Sequence, residues 1–197
     1  MSTSSVGALP SLDAQYAAFL DSRMLAMPIA GAIAWTGIGI AGYLLPLNLA
    51  VWAVFIGAGM IFYVALGVAR LTGEDLLGRE RKGNFFDQLF LCCIGQALLV
   101  YAIAIPFFLI EPTSLPLSVG VLSGLMWLPF SGLIRHWVGL FHGIVRTALV
   151  VAAWYLFPHA RFVAVPAVIV AVYLVTILML ARRGAKQTGA GMRRVAT

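Results

Sequence analysis

RHWVGLFHGIVRTALVVAAWYLFP, residues 135–158, is a segment of hydrocarbon length with His142 and Arg146 inside it. A helix rises ~1.5 Å per residue, so about 20 apolar residues cross a ~30 Å bilayer core. A guanidinium within such a segment is costly and marks either a functional site or a well-satisfied structural one. The segment also fixes the chain's division. Arg135 and His136 interrupt an apolar run from Leu115 to Phe157, and an unbroken helix of about 40 residues would measure ~60 Å, twice the core. The chain therefore turns at Arg135–His136.

Composition agrees. Of 197 residues, 62% are hydrophobic and 10% charged, with mean hydropathy +0.99. A soluble domain carries about 25% charged residues, so too few charges remain here to coat a soluble core. The net charge of +6 does not argue for nucleic acid, because the basic residues form no stripe on a soluble module. They cluster in the 70–82 loop and after Ala181, where they set topology and attract anionic lipid headgroups. Cys92 and Cys93 are adjacent, a poor geometry for a disulfide and too few ligands for structural zinc. They read as small packing residues.

Six apolar stretches follow the N-terminal segment 1–23, at 24–45, 47–69, 86–110, 116–134, 138–157 and 162–181. Each is expected to be a helix, since lipid offers no partner for an open backbone. The fold class is thus all-α, a polytopic bundle of six transmembrane helices. No signal peptide is expected in residues 1–10. Ser11 is a candidate N-cap for a helix over Leu12, Tyr16, Phe19 and Leu20, either a short amphipathic interfacial helix or a plain extension of the first span. Pro46, Pro112, Pro116 and Pro158 mark turns, because proline removes an amide donor and restricts the residue before it. Residues 24–181 form the membrane domain, and 182–197 a basic tail expected to be disordered.

Charge asymmetry sets direction. With six spans, one side carries Arg23, Arg70, Arg79, Arg81, Lys82, Arg135, Arg182, Arg183, Lys186, Arg193 and Arg194, and the other only Arg161. Positive residues accumulate in the cytoplasm, so both termini are expected there.

Polar residues within the spans are few. Counting ~1.5 Å per residue puts Gln96, Ser123, Arg146 and Tyr173 at nearly one depth, and His142 shares the face of Arg146 at four-residue spacing. These five are the candidate ligand-binding set. Two readings of Arg146 stand. It receives an anion or lipid headgroup, or it is structural and snorkels to the headgroups, with Asp87 as its nearest carboxylate. No intramembrane Asp or Glu suggests a proton relay. His136, His142 and His159 do not assemble a haem or metal set, and no hydrolase elbow, zinc-protease or phosphate-loop motif occurs. No catalytic residue, metal or cofactor is expected. Gly120 with Gly124, and Gly139 with Gly143, suit close helix packing and suggest a bundle or a homo-oligomer through glycine-rich faces. The 70–88 loop reads as an exposed connection, with partner docking as a lesser use.

The runs FFDQLFLCCIGQALLVYAIAIPFFL (85–109), LMWLPFSGLIRHWVGLFHGIVRTALV (125–150) and FPHARFVAVPAVIVAVYL (157–174) resemble a family of small bacterial multi-pass membrane proteins of unknown function. The resemblance covers most of the chain after Gly83. It implies a bacterial inner-membrane location and carries no activity. From the residues, two function classes lead: a small-solute transporter or channel-like protein with a polar site around Arg146, and a non-catalytic scaffold or subunit of a larger complex. A membrane enzyme has no nucleophile or acid–base pair to support it.

A reporter fused after Thr197 is expected to be read out in the cytoplasm. An exported reporter would overturn the span count or the direction.

Overall fold

The computed structural model describes residues 10–22 and 24–195, with side chains to residue 183. Among the described residues it is all helical and has no strands. A short helix α1 (Leu12–Leu20) precedes α2 (Ala26–Leu44), α3 (Leu47–Thr72), α4 (Phe85–Leu99), α5 (Tyr101–Ile110), α6 (Leu115–Gly124), α7 (Trp127–Leu133), α8 (Val138–Leu156) and α9 (Arg161–Val195). α4 and α5 form one interrupted helix, as do α6 and α7 after a single 3₁₀ turn at Pro112–Ser114. Six units are long and apolar enough to cross a membrane: Ala26–Leu44, Leu47–Thr72, Phe85–Ile110, Pro112–Leu133, Val138–Leu156 and Arg161–Arg183. Their outer surface is apolar, with Ile40, Trp52, Ile56, Leu109 and Leu178 exposed, as contact with lipid requires. The six expected spans match within a few residues. The backbone of α9 runs helically to Val195, through most of the stretch expected to be disordered. Its Ala, Arg, Lys and Gln residues are good helix formers.

The breaks and ends have local causes. Pro129 has no amide to donate to the carbonyl of Leu125, and the helix opens there. That carbonyl accepts instead from the Leu128 amide, three residues on, at 3.1 Å. α5 carries Pro106, and its helix is interrupted at Val100. α7 ends on Arg135, which adopts a left-handed φ of 46°. The His136 amide bonds back to the Ser131 carbonyl at 3.1 Å, the six-to-one bond of a left-handed helix cap. Gly73 (φ 72°) closes α3 in the same way through the Glu74 amide and the Ala69 carbonyl. The Glu74 carboxylate then accepts from the amides of Leu25 and Ala26 and so caps α2.

The short helix α1 is present, but it does not bury the expected apolar face, since Leu12 is exposed and Gln15 is buried. It lies on the start of α4: the Gln15 side chain accepts from the Phe85 amide, Asn84 donates to the Gln15 carbonyl, and Phe19 meets Phe86 and Phe90. Its buried residues are Gln15 and Phe19. In the loop below, Asp87 pairs with Arg81 at 3.0 Å. Their hydrogen bond, against an opposing effect of burial, raises the Arg81 pKa above its ordinary value. Burial pushes the Asp75 carboxyl up, but the amides of Glu80 and Arg79 pull it below its ordinary value.

α2 packs against α3 and α9, while α8 packs against α6, α7 and α9. Glycine permits both approaches. A methyl group at Gly42 would collide with the Phe162 carbonyl, the acceptor that Pro166 leaves without its helical donor. One at Gly139 would meet the Trp127 carbonyl and lie 2.8 Å from the Ser131 amide. Gly120, Gly124, Gly139 and Gly143 all face neighbouring elements of the same chain. These four glycines thus serve packing within the chain, while a methyl group at Gly37 of α2 would meet nothing within 4 Å.

Candidate functional site

One stripe of α8 holds the site. Gly139, His142, Gly143, Arg146, Val150 and Ala153 are its buried positions, spaced by three or four residues as one helix face requires. Arg146 lies about eight residues in from Val138, ~12 Å deep, and it is 0% exposed. It therefore faces neither lipid nor headgroups. α6 supplies Ser123, α9 supplies Tyr173 and Thr176, α2 supplies Trp35, and Trp127 opens α7.

The guanidinium donates to the Ser123 hydroxyl at 2.9 Å and to the Tyr173 hydroxyl at 3.1 Å. The Ser123 hydroxyl in turn donates to the Val119 carbonyl at 2.6 Å. A second chain of bonds orients the imidazole. Thr176 donates to the Val172 carbonyl, so its oxygen is left to accept from His142 Nδ1 at 2.8 Å. His142 then carries its proton on Nδ1, and Nε2 faces the Arg146 guanidinium at 3.4 Å as an acceptor. The imidazole stacks on Trp127 with ring centroids 4.2 Å apart. The guanidinium also lies 5.3 Å from the Tyr173 ring centroid and 5.5 Å from that of Trp35.

Two glycines make room. A methyl group at Gly31 would come within 2.5 Å of the Tyr173 hydroxyl, and one at Gly124 within 3.0 Å of Arg146 Cδ. Small residues thus let a long cationic side chain and a tyrosine meet between four helices.

Among the described residues, no carboxylate is part of this arrangement. Asp87, the expected partner, is paired with Arg81, because the left-handed turn at Gly78 brings the 78–81 segment against Asp87. Glu74 and Glu111 are engaged in local caps, and Asp75 binds the loop amides of Arg79 and Glu80. The magnitudes decide what this means. Burying a charge costs several kcal/mol even after relaxation. A hydrogen bond from a charged donor returns about 1.5–3 kcal/mol, and a desolvated cation–π contact ~2 kcal/mol. Two such bonds and two ring faces can hold the charge without a counter-ion, but they do not neutralise it.

The donors around it are in surplus. Arg146 Nε, Trp35 Nε1, Trp127 Nε1 and the Tyr101 hydroxyl are buried with no partner among the described residues. Beside the cluster is a cavity of about 60 Å³ bordered by Ser123, Tyr173, Trp127 and Tyr101, room for a few waters or a small polar group. Both helix interruptions, at Val100 and at Leu125–Met126, adjoin it. Irregular backbone at membrane depth is tolerated where it is buried in protein or lines a cavity, and interrupted helices often frame binding sites.

Of the five candidate residues, the structure brings together Ser123, His142, Arg146 and Tyr173. Gln96 stands apart. It shares their depth, but its side chain is exposed on the outer face of α4. Thr176 could have been added from sequence, since it stands three residues from Tyr173 on α9 and so shares its face. Trp35 and Trp127 carry no such signal, as tryptophan is at home in ordinary packing. Among the described residues, no three His, Cys, Asp or Glu side chains group together as a metal set would.

Among known proteins, residues 18–183 match the model of a group described as "Family of unknown function (DUF7010)". No curated protein and no solved structure matches the chain.

Tyr173→Phe removes one acceptor from a buried cation and is expected to cost about 1–3 kcal/mol, read as a lower unfolding midpoint in detergent. Thr36→Val is expected to change little, because Thr36 bonds only its own helix at Ala32 and is exposed. Equal midpoints for the two variants would show that the Arg146 network does not hold the bundle together.

Proposed function

The chain belongs to DUF7010, a family of unknown function, and we propose from the site itself that it is a small-solute transporter or channel-like membrane protein whose ligand is an anion or other hydrogen-bond acceptor held beside Arg146. One observation carries this reading: a fully buried guanidinium with no carboxylate beside it among the described residues, next to a cavity bordered by two donors without partners, Trp127 Nε1 and the Tyr101 hydroxyl. Such a site is short of negative charge and of acceptors, and a ligand supplying both relieves the shortage. Ser123 and Tyr173 form the polar wall. Arg146 donates to the Tyr173 oxygen from behind, which strengthens the Tyr173 O–H as a donor. His142 and Thr176 hold the guanidinium in position. The charge asymmetry supports an inner-membrane orientation with both termini cytoplasmic. There Arg70, Arg79, Arg182 and Arg183 attract anionic headgroups.

The test is flux through proteoliposomes carrying the full chain, with chloride, phosphate, acetate and a long-chain carboxylate as probes. At least one of these anions is expected to move faster than through protein-free vesicles, and Arg146→Gln is expected to slow that flux about tenfold. If none moves faster than the protein-free background, the reading fails.

A second reading, membership of a homo-oligomer or larger complex, is supported by Gln96. Its carboxamide is exposed on an otherwise apolar helix face near mid-membrane and has no hydrogen-bond partner among the described residues. An amide in hydrocarbon seeks a partner, worth about 1–2 kcal/mol between model helices. Gln96→Leu is expected to shift the chain toward monomer in gentle detergent, measured by light scattering. An unchanged mass would remove this support.

A further inference from the structure

We propose that the cavity beside Arg146 is entered sideways from the bilayer, and that its ligand is a single-chain anionic amphiphile, a long-chain carboxylate being the simplest member. The proposal rests on the reading of Arg146 as an acceptor-binding site and adds the ligand's class and route.

The route follows from which walls are closed. Toward the loop side, Met27, Met126 and Trp127 separate this cavity from a smaller one of about 30 Å³ bordered by Glu74, Arg81 and Asp87. Met126 and Trp127 are buried, at 8% and 3% exposure. Toward the opposite membrane face, Phe55 of α3 meets Tyr101 and Phe108 of α5, with ring centroids 5.8 and 5.6 Å apart. Between these two closures α3 and α4 stand apart. Ala58, Gly59 and Phe62 border the cavity from one side, Ile94, Ala97 and Leu98 from the other. Leu98 is 63% exposed, and a methyl group at Gly59 would touch nothing within 4 Å. The mouth therefore opens at mid-membrane onto lipid.

The chemistry follows from how the wall changes along this path. At the mouth it is aliphatic and aromatic. At its inner end it presents Ser123, Tyr173, the unpartnered Trp127 Nε1 and the unpartnered Tyr101 hydroxyl, with the Arg146 charge immediately behind. A free inorganic anion reaching this mouth must first cross hydrocarbon at prohibitive cost. A molecule already dissolved in the bilayer does not. Its chain lies along the apolar wall, and an acceptor-rich head meets the donors. An amphiphile with a cationic or donor-only head would meet like charge and further donors.

The experiment is photo-cross-linking of the full chain in nanodiscs with a long-chain carboxylate bearing a diazirine in its tail, and adducts mapped by peptide mass spectrometry. Adducts are expected to concentrate in residues 58–62 and 94–101. Excess unlabelled long-chain carboxylate is expected to suppress them, and the alcohol of the same length is not. Gly59→Leu, whose side chain enters open space, is expected to lower this labelling about tenfold while leaving the unfolding midpoint unchanged. Arg146→Gln is expected to abolish the advantage of the carboxylate over the alcohol. Adducts spread evenly over outward residues such as Trp52, Ile56 and Leu109, or labelling indifferent to competitor, would overturn the proposal. Even labelling with an Arg146-dependent acetate flux still present defeats sideways entry alone. Even labelling with no anion flux at all removes the transport reading as well.

Discussion

A positive charge is buried inside this bundle without a negative one, and the surrounding helices are arranged to tolerate it. Arg146 is reached by α2, α6, α8 and α9 together. Moving any of the four would strip the guanidinium of a hydroxyl or a ring face. In water such a side chain needs no help. At ~12 Å depth each lost contact costs a substantial fraction of a domain's total stability, which is only about 5–15 kcal/mol. The same contacts that make the cluster possible therefore specify how the helices pack.

Small residues are the means. Lipid tails are as apolar as leucine, so helices in a membrane gain by close approach rather than by leaving the solvent. Gly42 accepts the freed Phe162 carbonyl, Gly139 the Trp127 carbonyl, Gly31 the Tyr173 ring and Gly124 the Arg146 stem. The prolines act with them. Pro129 opens the helix at Leu125 beside the cavity, and Pro166 frees the carbonyl that Gly42 meets. Packing and site are thus one design: helices tight around Arg146 on the α2–α9–α8 side, and parted between α3 and α4.

Much of the site was legible in the residues, though only along one coordinate. Counting residues from a span's end gives depth, and depth placed Ser123, Arg146, Tyr173 and Gln96 at one level. It gives no azimuth. Ser123 and Tyr173 turn inward, while Gln96 turns out, because α4 presents Asp87, Phe90 and Cys93 to the core instead. Asp87 failed as a partner for a related reason. Its nearest cation in space is set by the loop fold at Gly78 and Arg81, which no span count describes.

The sequence by itself determined that the chain is a six-span helical membrane protein with a charge inside its fifth span. Those properties are sums over segments: hydropathy, length, proline position and net charge need no knowledge of neighbours. Tertiary structure alone decided that Arg146 faces the interior, that His142 lies against its guanidinium, and that a cavity opens between α3 and α4. Each of these depends on which helix faces meet. In a bilayer that choice is made by close fit between surfaces, and apolar spans of similar composition look alike until they are packed.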